Sequence, residues 1–473
     1  MKQPAVRRNV SILREKLSKS IGLPFTDLLP ESFLQSVLRE EKVRYRKRLF
    51  CPIVTLWTWT SQVLDADKSC KNAVSRVVSY LIASGKEAPS TNTSAYCQAR
   101  ARLLESFLLR LLRKTGGQLH SRAEAAWRWC GREVFVVDGS RLTMTDSEAN
   151  QDQYPQPKSQ KKGCGFPAAR IVMLFSLFTG AVLDSAISAL SIGEINLFRQ
   201  LYANLQSGSI ALGDRLFGSY ADIVLLKQRL VDCVFRLSAS RKGDFRKGKR
   251  ISRCDRLLWW DKPKKRPVGL TKAEFDQLPE HLMVREVRFH IALKGFRTEL
   301  VTLVTTLLDH KTYSVEALAE LYGLRWQAEI DIRHLKTTME MEHLHNKTPE
   351  MVRKEFYVHL LAYNLIRQLQ SEASKEHGVT PITLSFKATI QHLCNFLMIL
   401  AFAQSQQRLI FYRQLIALIA NEKLPLRPNR VEPRAVKRRP KAYQRLNQPR
   451  NQLRRKCINR KIDPKTGRSI PSY

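Results

Sequence analysis

The chain is short of acid. Its 473 residues carry 42 Asp and Glu against 80 Lys and Arg, a formal net charge of +38 and a pI near 10.2. Self-repulsion on that scale implies a polyanionic partner, with nucleic acid first. An anionic membrane surface comes second, because no lipidation motif or hydrophobic amphipathic terminus accompanies the charge. Long apolar runs are also missing. The longest, Ile171 to Leu183, contains Gly180 and stops at Asp184, too short to span a bilayer. The start, MKQPAVRRNVSILREK, lacks the apolar core of a secretory signal, so a cytoplasmic protein is expected. The nine cysteines are scattered with no C-x-x-C pair, which argues against a disulfide framework or a zinc site. No internal repeat is apparent. What remains is an apolar content of 44%, enough for sizeable cores in a chain of two to four domains.

Residues 1 to 125 read as helical, with Val43–Leu64, Ala73–Ala83 and Ser94–Arg113 as examples. Arg100, Arg102, Arg110 and Arg113 accompany the apolar stripe of the last, which suits either DNA binding or an ordinary solvated face. The texture then changes. Val134–Val137 is a short β-branched run before Asp138-Gly139-Ser140 and predicts a buried strand ending in a turn. Arg170–Phe178 and Ala181–Ser188 predict a hairpin, Gly193–Leu205 a helix, and Ser209–Gly213 a strand ending at Asp214-Arg215. Ser219–Leu230 predicts a helix and Asp232–Leu237 a strand, so the order is β-β-β-α-β-α-β. From 239 to 312 a basic loop and strand-like segments read as a β-rich insertion. Helices resume over Ser314–Leu344, Pro349–Ser374 and Thr389–Ile419. The segment from Arg427 is rich in Pro and Arg and predicts disorder until it meets a polyanion.

Three places carry chemistry. Asp138 and Asp214 each follow a buried strand, where a side chain points into the crevice above a sheet. A lone Asp-Gly there is often just a turn. On a helix at about 100° per residue, Tyr322, Arg325, Glu329 and Lys336 fall at about 0°, 300°, 340° and 320°, inside one arc of about 60°. Ion pairs on a solvated face give that pattern. So does a carboxylate for a divalent ion flanked by cations for phosphates. Three converging carboxylates would repel unless cations intervened. Two divalent ions, about 3.5–4 Å apart in such sites, would relieve this, and hard oxygen ligands select Mg²⁺ or Mn²⁺ over zinc. His343-Leu344-His345 resembles a zinc fragment, but on a helix its rings would point apart.

The spacing Tyr322-x2-Arg325-x3-Glu329-x6-Lys336 resembles the Y-R-E-K signature of bacterial DDE transposases of the insertion-sequence-four family. Val136-Val-Asp-Gly-Ser140 resembles that family's first-aspartate motif, and Gly213-Asp-Arg-Leu-Phe-Gly218 its second. The insertion and the terminal PRAVKRRPKAY lie where the family places them, and the likeness covers about residues 90 to 445. It implies an α/β fold with a ribonuclease-H-like catalytic core interrupted by a β-rich insertion, an N-terminal helical domain and a basic C-terminal tail. The corresponding divisions are 1–125, helical and DNA-binding; 126–238, first part of the core; 239–312, insertion; 313–425, second part of the core; and 426–473, tail. The resemblance implies that Asp138, Asp214 and Glu329 are the metal-binding catalytic triad, holding two Mg²⁺ or Mn²⁺ ions. Tyr322, Arg325, Lys336 and, more weakly, Arg215 would contact DNA. Some relatives hold a flipped base with a tryptophan of the insertion, but Trp259 and Trp260 lie too early to carry that over.

The expected function is that of a DNA transposase. It would bind inverted-repeat ends of an insertion sequence, cleave them by metal-dependent hydrolysis and join the 3′ ends to target DNA, as a homodimer in the synaptic complex. A catalytically silent DNA-binding relic and a ribonuclease-H-like nuclease are the alternatives.

Overall fold

Strand β1, Val134–Met144, is the axis of the computed structural model, which describes residues 3–21, 29–46, 48–238, 241, 243–291, 299–425 and 445–459. Antiparallel β2, Ala168–Ser176, pairs with β1 from Phe135↔Ser176 to Thr143↔Ala168, and β3, Val182–Ala189, follows on β2. On the other side lie parallel β4, Ile210–Gly213, and β5, Asp232–Arg236. Four further strands are β6, Lys249–Ser252; β7, Asp255–Asp261; β8, His281–Ile291; and β9, Glu299–Thr305. They continue the same sheet, because β9 pairs antiparallel with β5. The sheet order is β3-β2-β1-β4-β5-β9-β8-β7-β6, and the short β10, His343–Leu344, pairs with the far end of β1. The architecture is mixed α/β around one large mixed sheet.

Alternation along the strands sorts side chains to two faces. Phe135 and Val137 of β1 pack with Ala211, Cys233 and Phe235 beneath the helices Glu194–Leu201 and Tyr220–Gln228. Val134, Val136, Ile210, Leu212 and Val234 pack on the opposite face, against helices of the N-terminal region and of residues 315 to 420. The helix Pro349–His377 runs through this second core and is buried over most of its length. Partners inside the core take up two of its polar side chains: Asn364 donates to Val182 O at 2.8 Å, and Arg367 bonds Asp331.

Several expectations need correction. The strand over Val134–Val137 does not end at Asp138. It runs on to Met144, because β2 supplies a ladder along its whole length and overrides the turn signal of Asp138-Gly139. The helix expected from Val43 starts at Pro52, a residue suited to the first helical turn and not to an interior. Ser94–Arg113 is two helices, Ser94–Arg102 and Glu105–Ser121, broken where buried Leu103 turns extended (φ −63°, ψ 133°). Thr389–Ile419 is likewise two, Phe386–Phe402 and Ser405–Asn421. The helix expected to reach Leu344 stops short of it: Glu340 is left-handed (φ 58°), and the chain then joins β1 as β10. Of the basic tail, 426–444 and 460–473 lie outside the described residues, and 445–459 includes a helix, Arg450–Ile458.

Candidate active site

The site lies where β1 loses its neighbour. β4 pairs with β1 only as far as Val136↔Leu212 and ends at Gly213, while β10 joins β1 from Thr143. Between those two partners one edge of β1 is open, and Asp138 stands in the opening. Asp138 shares the parity of Val134 and Val136, so its side chain belongs to the face packed against the N-terminal helices and those of residues 315 to 420. Asp214 shares the parity of Ile210 and Leu212, and carrying the parallel register forward sets it opposite Asp138. Gly213 is needed at the end of β4, since a Cβ there would come within 2.9 Å of Val137 and 3.0 Å of Phe217.

Glu329 comes to the same crevice from above. Its stretch is not the uniform helix that the arc assumed. Val315–Leu324 and Trp326–Arg333 are joined through Arg325, and a π-helical turn, His334–Thr338, follows. The wider turn carries Lys336 over β1, where its Nζ lies 3.4 Å from Ser140 Oγ and 3.4 Å from Glu342. Arg325 donates to Glu329 at 2.7 Å and approaches Asp138 at 3.9 Å. Its Nε is buried and has no acceptor. Tyr322 is buried, with its ring 5.7 Å from the Arg325 guanidinium, whereas Arg215 is exposed beside Asp214. The structure thus gathers Asp138, Asp214, Glu329 and Arg325, sets Lys336 along the strand, puts Tyr322 behind Arg325 and leaves Arg215 at the rim.

Electrostatics mark the crevice as short of positive charge. Burial pushes the Asp138 carboxyl up to about 6, and Glu329 and Asp214 add to this against the Gly139 N–H and Arg325. Burial also opposes the charge on Arg325, yet Glu329, Tyr322 and Asp138 outweigh it and raise its pKa. A further carboxylate escaped the sequence reading. Glu194 opens the helix Glu194–Leu201 and lies so close to Gly139 that a Cβ there would meet its carboxylate at 2.8 Å. Burial raises the Glu194 carboxyl, Arg170 lowers it and Asp214 raises it. Only the pairing of a glycine in β1 with a glutamate on a later helix could have signalled it.

Among the described residues, no three His, Cys, Asp or Glu side chains converge closely enough to share one metal ion. The reason at this crevice is Arg325, which occupies the position between Asp138 and Glu329. The donor set itself fits a hard divalent cation: oxygens only, one of them on a carboxyl that resists ionisation because it is buried, with Glu329 and Asp214 adding to the effect. The two unassigned residues of the helix are structural. Asp331 is buried against Arg367, and His334 stacks on Phe386 with ring centroids 4.6 Å apart. His343 lies on β10 and His345 just beyond its end, not on a helix, with rings 5.5 Å apart; His343 meets Thr143 and His345 meets Glu355.

The model of the family described as "Transposase DDE domain" matches residues 129–365, half of the chain and all of the crevice. The chain belongs to the DDE transposase family. The resemblance drawn from Tyr322, Arg325, Glu329 and Lys336 is confirmed at that level. Transposase InsG for insertion sequence element IS4, of Escherichia coli K12, is 26% identical over 420 residues, covering 88% of this chain and 91% of that one. Putative transposase InsL for insertion sequence element IS186A, from the same organism, is 38% identical over 64 residues, 14% of this chain and 17% of that one. A cryo-EM structure of the piggyBac transposase synaptic complex with hairpin DNA aligns over 84% of this chain and 85% of that one, with 11% identity and a TM-score of 0.42. No helix among the described residues of this transposase is long and apolar enough to cross a membrane.

Proposed function

We propose that this transposase binds the inverted-repeat ends of an insertion sequence, cleaves them by metal-dependent phosphodiester hydrolysis and joins the 3′ ends to target DNA by strand transfer. The observation that carries this reading is the gathering of Asp138, Asp214 and Glu329 at the open edge of β1, with Arg325 as the countercharge shared by Asp138 and Glu329. The three carboxylates would hold Mg²⁺ or Mn²⁺, two ions in the full site. When bound, such ions make a water or 3′-hydroxyl nucleophilic and stabilise the leaving oxygen. The chain's own groups do the rest. Asp138 must give up its proton to serve, and Arg325 keeps Glu329 at the crevice in the meantime. Lys336 and Arg215 would neutralise DNA phosphates on either side, and Arg325 would join them once Glu329 turns to a cation. Tyr322 would act with Arg325, against which it is buried.

The strand order β3-β2-β1-β4-β5, with β2 and β3 antiparallel and β4 and β5 parallel to β1, supports a ribonuclease-H-like core. In this reading 126–238 and 313–425 form that core, 239–312 the insertion, 1–125 a DNA-binding domain and 426–473 a basic tail. Two copies would act together, since two ends must be held, and the work would be done at the nucleoid. Cleavage of a terminal-repeat duplex in Mg²⁺ tests the reading. Unchanged cleavage after Asp138→Asn or Glu329→Gln would sink the triad. The Arg325–Glu329 pair favours a second reading, a DNA-binding relic without activity. Binding without cleavage in both Mg²⁺ and Mn²⁺ would select it.

A further inference from the structure

The helix Glu31–Glu40 ends in a tight closure: Lys42 N bonds Arg39 O, Val43 N bonds Leu38 O, and Lys42 is left-handed (φ 51°). Glycine usually takes that place. The closure throws the chain out as a non-helical segment before the helix starting at Pro52. Beside that segment, against the helix Ser94–Arg102, open two adjoining cavities of about 450 and 460 Å³ that share Arg48, Phe50, Ala99 and Arg102. Arg44, Arg46, Arg48 and Arg102 line them and are exposed, and no Asp or Glu does among the described residues. The acids next to the closure are engaged elsewhere: Arg110 bonds both Glu40 and Glu41, and Ser106 bonds Glu41. Tyr45, 42% exposed, stands on the wall.

Four guanidiniums lining two adjoining cavities repel one another until a polyanion enters. Their forked donors match phosphate oxygens, and an exposed ring beside them offers a face to a sugar or base. The cleft is also fixed to the catalytic half of the molecule. Lys354 Nζ bonds Ala101 O at 2.8 Å, Arg100 bonds Asn346 at 3.2 Å, and Arg353 pairs with Glu105 at 2.7 Å. Asn346 follows β10, which pairs with the strand of Asp138.

We propose that this cleft is a groove for the phosphate backbone of the DNA duplex, with Arg44, Arg46, Arg48 and Arg102 on phosphates and Tyr45 against a sugar or base. DNA is the polyanion because the chain is a DNA transposase, and the groove is proposed within that reading. Backbone contacts position DNA without reading it. The loss on removing them should therefore be the same for repeat-end and unrelated duplexes.

The test is fluorescence anisotropy of both duplexes against KCl concentration, for the full chain and for the triple variant Arg44→Ala, Arg46→Ala, Arg48→Ala. A loss of affinity of about 10- to 100-fold at 0.15 M salt is expected, with the slope of log K against log salt flatter by about 2–3. Arginine-selective footprinting by mass spectrometry on the wild-type chain guards against a folding defect. DNA should protect Arg44, Arg46 and Arg48, and a salt slope restored by the triple Lys variant should accompany it. An unchanged slope, or no protection while wild type binds and cleaves, overturns the groove and leaves the transposase reading standing. Failure of the wild type to bind any duplex overturns both.

Discussion

Asp255 and Asp138 are carboxylates on strands of one sheet, and their surroundings could hardly differ more. Asp255, on β7, accepts two bonds from Arg285, at 2.8 and 2.7 Å, with both side chains buried. On the same pair of strands Glu286 receives Arg256 and the Trp260 indole, the latter at 3.1 Å. Each acid there has a cation of its own. Among the described residues Asp138 has no ion-pair partner nearer than Arg325 at 3.9 Å, and that guanidinium is held more closely by Glu329. A buried ion pair that satisfies itself belongs to the framework; carboxylates left to share one cation describe a seat for another. The difference separates structural from functional charge within one fold.

The largest effect is expected at the crevice. Glu329→Gln or Asp138→Asn should slow single-turnover cleavage of a repeat-end duplex by at least about 10³-fold, about 4 kcal/mol of barrier, with DNA binding kept. In the insertion, Arg285→Ala strands a buried Asp255 and should cost about 3–5 kcal/mol in urea unfolding. If that variant is as stable as wild type, the pair is not a framework element.

A third effect has the opposite sign. Asp138 is 17% exposed, and its carboxyl is raised from 3.8 to about 6 in the folded chain, so the native state holds this proton more tightly than the unfolded state does. Metal-free protein should therefore lose stability from this group as pH rises from about 4 to about 6, and lose no more above that. Asp138→Asn should remove that loss and be more stable than wild type by about 1–3 kcal/mol at pH 8, but not at pH 4. Thermal unfolding of both proteins across pH would show it, and parallel curves would refute it. The smallest effect is expected at the rim. Arg215→Ala should flatten the salt slope of DNA binding by about 1 and lower affinity a few-fold.

Much of this could be read from residues alone, for identifiable reasons. β2, β4 and β5 announce themselves as apolar runs set off by turn residues, and the Tyr322 to Lys336 spacing names the family. The length of β1 was hidden, because Asp138-Gly139-Ser140 has turn chemistry and the ladder from β2 is a tertiary fact. The π turn at His334–Thr338 was equally hidden, since no local residue signal distinguishes it from an α-turn. Glu194 was invisible: its place against β1 depends on Gly139 leaving room in a strand distant in sequence. In the same way, the cationic cleft needed the closure at Lys42 to bring Arg44, Arg46 and Arg48 against Arg102.

The central claim is that Asp138, Asp214 and Glu329 form one seat for divalent ions. Titration of the metal-free full chain with Mn²⁺ at pH 8, with free ion counted by electron paramagnetic resonance, tests it without any DNA or turnover. Wild type should bind Mn²⁺, and Asp138→Asn and Glu329→Gln should each weaken that binding at least about tenfold, about 1.4 kcal/mol, while Arg215→Ala leaves it unchanged. Identical isotherms for all four proteins would contradict the account.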